Sequence, residues 1–90
     1  MQKNRFLEDL RQRKMIVKEE LSLRQKRIES IKDTIEKINS QIQVVNEESK
    51  KILIGYKEIL LLKLKEEITA CGMLEDHLNN IEIFISLFFS

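Results

Sequence analysis

Residues 28–49 read IESIKDTIEKINSQIQVVNEES, and the fold turns on whether one helix runs through this stretch or stops inside it. Ile28, Ile31, Ile35, Ile38, Ile42 and Val45 recur at alternating steps of three and four, the a and d positions of a heptad. Between Glu29 and Gln43 every other residue is polar, charged or small and hydroxylated. A strand would need alternation at period two, which is missing here, so the β-branched isoleucines sit on a helix. A stripe this narrow is a coiled-coil seam, not the broad apolar face of a helix in a globular core.

Carried forward, the same frame reaches Ser49, Ile52, Tyr56 and Ile59, with the Tyr56 hydroxyl at the edge of a wide layer. Carried backward it passes through Leu7, Leu10, Lys14, Val17, Leu21 and Arg24, where two of six positions are basic. Long Lys and Arg stems can lie along an apolar seam while their charges reach water, so the helix continues there with looser pairing. Asn4 is the expected N-cap, with Glu8 and Asp9 near the positive end of the helix dipole. Beyond Ile59 the apolar set is Leu60, Leu64, Ile68, Cys71, Leu74, Leu78 and Ile81, which reads as a four-residue insertion that unwinds a supercoil without ending the helix. The chain is thus one helical region, 1–90, with ragged basic heptads over 4–27, regular heptads over 28–59 and a frame-shifted apolar segment over 60–90. The tail from Ile81 to Phe89 alternates in a way that suits a strand as well as a helix end.

The fold class is all-α on either reading of the central stretch. The favoured one is a continuous amphipathic coiled-coil helix of about 80 residues, on the order of 120 Å long at 1.5 Å per residue. The 90-residue chain has no proline and two glycines, Gly55 and Gly72, so nothing announces a turn. Gly72 is read as a glycine inside the helix, and any hinge or close helix contact is expected at these two positions. The alternative is an antiparallel helical hairpin turning near 44–49, because Asn46 followed by Glu47 and Glu48 is a helix-start signature that divides the chain into nearly equal halves.

Charge bears on partners. The net charge of +1 conceals a polarity: residues 1–27 carry nine Lys/Arg against four acids, a balance of +5, and the remainder sums to −4. In a parallel homodimer Arg13 would face Lys18 and Arg27 would face Lys32, both repulsive. Ile at both a and d favours more than two strands. The expected partners are therefore protein helices, in a hetero-oligomer or an antiparallel homo-oligomer. The expected interface comprises Leu7, Leu10, Val17, Leu21, Ile28, Ile31, Ile35, Ile38, Ile42, Val45, Ile52, Tyr56, Ile59, Leu60, Leu64, Ile68, Leu74, Leu78 and Ile81.

No catalytic, cofactor or metal site is expected. His77 is the single histidine, and Met73 and Ile81, its neighbours on the same helical face, are poor company for zinc, so a solvated or interface role is the better reading. Cys71 on the lower seam reads as a small buried apolar residue, because no cation sits beside it. Glu47, Glu48, Glu66 and Glu67 read as solvated helix faces. A lone cysteine suits an intracellular compartment, cytoplasmic or nuclear. The amino terminus does not read as a secretory signal, no common lipid-attachment motif is present, and the apolar end at Ser90 is what a shortened form of a longer chain would also show.

The expected function is non-enzymatic: a scaffold or oligomerisation subunit that joins partner helices through the seam. Two rivals are weaker. Nucleic-acid binding through residues 11–14 and 24–27 is opposed by the interrupting Glu8, Asp9, Glu19 and Glu20. Peripheral membrane attachment through residues 81–89 is opposed by the absence of a Lys/Arg-rich polar face, and nine residues are far short of the ~20 needed to span.

Overall fold

The computed structural model describes residues 2–89, with side chains placed for residues 5–88. Two α-helices account for nearly all of it: α1, Gln2–Ile42, and α2, Glu47–Phe89, joined by residues 43–46. They pack against each other as an antiparallel rod of 68 × 15 × 14 Å. Its radius of gyration, 20.1 Å, far exceeds the ~12 Å of a compact chain of this length.

The all-α expectation holds, and of the two arrangements open to the sequence the chain adopts the hairpin. The continuous helix is not formed. Folding back covers the apolar stripe of the first half with the second half of the same chain, whereas a straight helix leaves it in water. The reversal needs no glycine. The backbone N–H groups of Val44 and Val45 both donate to the Gln41 carbonyl, at 3.0 and 3.2 Å, which closes α1. Asn46 then caps α2: its Oδ1 accepts from the Ser49 N–H at 2.9 Å, and its carbonyl accepts from the Lys50 N–H at 2.9 Å. Glu47 and Glu48 occupy the first turn of α2, where the helix dipole favours negative charge. At the other end α1 begins at Gln2, two residues ahead of the expected Asn4 cap, so Asn4 lies within the first turn.

The seam of α1 is the one its heptads announce: Leu7, Leu10, Lys14, Val17, Leu21, Arg24, Ile28, Ile31, Ile35, Ile38 and Ile42 are all buried or half-buried against α2. The seam of α2 runs through Leu53, Lys57, Leu60, Leu64, Glu67, Cys71, Leu74, Leu78, Ile81 and Ile85, again in steps of three and four. It is one residue out of phase with the α1 frame. The expected passage of that frame through Ile52, Tyr56 and Ile59 is therefore corrected, because four non-helical residues at 43–46 do not preserve helical phase. Ile52 is 71 % exposed and Ile59 56 %, while the adjacent Leu53 and Leu60 turn inward. The expected stutter after Ile59 is likewise replaced by a phase change at the turn, which puts Glu67 on the seam in place of the exposed Ile68.

Gly55 and Gly72 both lie inside α2, with open space where a Cβ would stand, so neither marks a hinge or a close contact. The tail is helical through Phe89. There Phe6 of α1 meets Phe84 edge-on, with ring centroids 5.6 Å apart, and Phe84 stacks on Phe88 at 4.4 Å.

These placements separate two side chains of similar size on α2 cleanly. In dilute solution, Leu60→Ala should lower the urea-unfolding free energy by about 2–3 kcal/mol, and Ile52→Ala should change it by less than about 0.5 kcal/mol. A continuous seam through Ile52 would give the reverse order. Removing the cap with Asn46→Ala should cost about 1 kcal/mol in the same measurement.

Candidate functional site: an apolar interaction face

A pair of helices can hide one stripe on each, and this chain has more apolar surface than that. The most buried side chains, Val17, Ile38, Leu60, Cys71 and Ile81, still keep a few per cent of their surface. The rod exposes 7257 Å², against about 5,500 Å² expected for a compact protein of 10.7 kDa.

Part of the excess is organised. Ser30 of α1 and Glu66 of α2 line a single shallow groove with Arg27, Thr34, Leu60 and Lys63, so they share one face of the rod. In heptad-packed helices, residues seven apart stay on the same face. Steps of seven from Ser30 reach Leu23 and Ile16, and steps of seven from Glu66 reach Ile59, Ile52, Met73 and Leu87. All six are large apolar side chains left exposed. Tyr56 stands between Ile52 and Ile59, half-exposed at the seam edge of this face. On the opposite face of α2, Ile54, Leu61 and Ile68 form a shorter row with the same spacing.

Cross-helix ion pairs hold the two contributions in register. Arg24 Nη1 donates to Glu67 Oε2 at 3.1 Å, its Nη2 and Nε reach Glu20 Oε1 at 3.3 and 3.4 Å, and Arg27 Nη1 lies 3.9 Å from Glu67 Oε1. The Glu67 hydrogen bond, with a lesser one from Glu20, holds the Arg24 guanidinium above its ordinary pKa despite the opposing cost of partial burial. Towards the open end, Lys14 Nζ approaches Glu82 Oε1 at 3.4 Å. The basic first half therefore lies along the acidic second half.

The residues expected at the interface divide accordingly. Leu7, Leu10, Val17, Leu21, Ile28, Ile31, Ile35, Ile38 and Ile42 face α2, and Leu60, Leu64, Leu74, Leu78 and Ile81 face α1; Val45 is half-buried in the turn. Ile52, Tyr56, Ile59 and Ile68 point outward. The heptads did not single out Ile16, Leu23, Met73 and Leu87 for the outer face; their signal was the seven-residue repeat beside the seam. Cys71 is buried and free, and His77 is exposed. Among the described residues no cluster of His, Cys, Asp and Glu has the geometry to hold a metal ion, and no helix is long and apolar enough to cross a membrane. Comparison with family models, curated proteins and solved structures finds no match to this chain.

If the Arg24–Glu67 pair sets the register, Arg24→Glu or Glu67→Arg alone should lower the melting temperature, and the double exchange should recover most of the loss. Thermal denaturation followed by circular dichroism checks this. Equal, additive losses in the double variant would mean that the pair does not set it.

Proposed function

We propose that the chain is a non-enzymatic structural protein, a scaffold or oligomerisation subunit that assembles with partner helices. The observation that carries this reading is the exposed row at seven-residue spacing, Ile16 and Leu23 on α1 with Ile52, Ile59, Met73 and Leu87 on α2. Scattered apolar residues are normal on a protein surface, but six large ones aligned on one side of a rod suit a surface covered by another protein. The heptad repeat gives that cover a shape, because a row of this pitch is filled by another helix.

The rival readings draw less support. Arg24, Arg27 and Lys14 are engaged by Glu67, Glu20 and Glu82, and Arg11 lies 3.8 Å from Glu8, which lessens what α1 has to offer phosphates. In the tail, Ile81, Phe84 and Ile85 are turned towards α1, and the exposed Ile83, Leu87 and Phe88 have no Lys or Arg between residues 66 and 89 to engage lipid headgroups.

Affinity purification of the tagged full-length chain, with identification of what it carries, tests the reading. Proteins bound by the native chain should fall at least about tenfold with Ile52→Asp/Ile59→Asp, a loss of about 1.4 kcal/mol or more, while helical circular dichroism is unchanged. Retention of the same proteins by that variant would overturn the proposal.

A further inference from the structure

We infer that the partner covering this face is a second copy of the chain, reversed end for end, so that α2 lies antiparallel on α2 about a two-fold axis near Thr69 and Ala70. The inference rests on the interaction reading above and names its partner. Three observations carry it.

The first is the charge along α2. Residues 50–65 hold Lys50, Lys51, Lys57, Lys63 and Lys65 against Glu58 alone, a balance of +4. Residues 66–89 hold Glu66, Glu67, Glu75, Asp76 and Glu82 with no Lys or Arg, a balance of −5. Glu67 and Glu82 are paired with α1, but Glu66, Glu75 and Asp76 are exposed, as are Lys51, Lys63 and Lys65. Two α2 helices side by side in the same direction set like charge on like charge. Reversal sets the lysine segment of each on the acidic segment of the other, with Lys63 level with Asp76.

The second is where the apolar residues fall. On α2 they occupy the two ends of the face, Ile52, Tyr56 and Ile59 towards the turn and Met73 and Leu87 beyond the middle. A reversed copy brings Ile52 of one chain over Leu87 of the other, the two most exposed apolar side chains of the row. A copy laid with its turn at the same end places α1 over α2 instead. It would set Lys37 and Ser30 on Ile52 and Ile59, against the hydrophobic pattern.

The third is the middle of α2, where Leu62, Lys65, Glu66, Thr69, Ala70 and Met73 line a shallow depression of about 450 Å³. Thr69 and Ala70 are small enough to let a second backbone approach. A two-fold axis through that point laps the depression onto its own copy, so the flexible Met73 of each chain enters the depression of the other. The product is a four-helix bundle with a turn at each end.

Sedimentation equilibrium of the full-length chain, combined with inter-chain disulfide trapping in a Cys71→Ala background, tests the inference. The expected species has twice the 10.7 kDa chain mass. Ile59→Glu/Met73→Glu, both at exposed positions, should weaken the dimer about a hundredfold or more with helicity intact. Chains carrying Ile52→Cys should cross-link to separate chains carrying Leu87→Cys. A monomer at every concentration, or trapping of Ile52→Cys by Lys37→Cys of another copy, would overturn it. If the chain is monomeric but its captured proteins are lost with Ile52→Asp/Ile59→Asp, the second copy alone is refuted. If capture is also indifferent to those residues, the interaction reading falls with it.

Discussion

Two helices in contact can each bury one stripe, and everything distinctive about this molecule follows from that limit. α1 is economical: its apolar residues lie almost wholly on the stripe that α2 covers, and Met15, Ile16 and Leu23 are the main surplus among its side chains placed beyond Phe6. α2 is not. Its first turns carry Ile52, Leu53, Ile54 and Tyr56 and then Ile59 through Leu62, apolar in every direction, and only Leu53 and Leu60 of these turn towards α1. The hairpin satisfies α1 and leaves α2 with an outer surface that resembles a second seam.

Polar residues on the inner stripe shape the rest. Arg24 and Glu67 occupy positions that a purely apolar hairpin would fill with Leu or Ile, and they face each other across the rod. A seam made only of similar aliphatic side chains would tolerate sliding by a heptad. A half-buried charge pair tolerates it poorly, because each slip strands both partners away from their counter-charge. Lys14 and Glu82 repeat the arrangement nearer the aromatic end. The register set by these pairs is also what aligns Ile16 and Leu23 with the outer residues of α2.

The α1 stripe was legible in the sequence, since helical period and side-chain character agree from Ile28 to Ile42 and the same spacing carries back to Leu7 through Lys14 and Arg24. The reversal was visible only as Asn46, Glu47 and Glu48, and it competed with an apolar pattern that continued in phase to Ile59. What the pattern could not convey is that a four-residue link changes phase by an amount set by backbone geometry, so Ile52 and Leu53 exchange roles with no change in composition. The outer face was hidden for the same reason: Ile52 and Ile59 were legible as apolar heptad residues, but the side they would face depended on the turn. Glu67 could not be recognised as a seam residue before Arg24 was known to stand opposite.

The Asn46 turn also has a kinetic meaning. Contacts next to it join residues close in sequence, while Phe6 and Phe84 are separated by nearly the whole chain. Closing short loops costs less entropy than closing long ones, and each pair formed shortens the loop that the next must close. Loop entropy therefore favours assembly that starts at the capped turn and finishes at the aromatic pair. The apolar outer residues at 52–62 sit beside the turn, at the end where closure costs the least entropy.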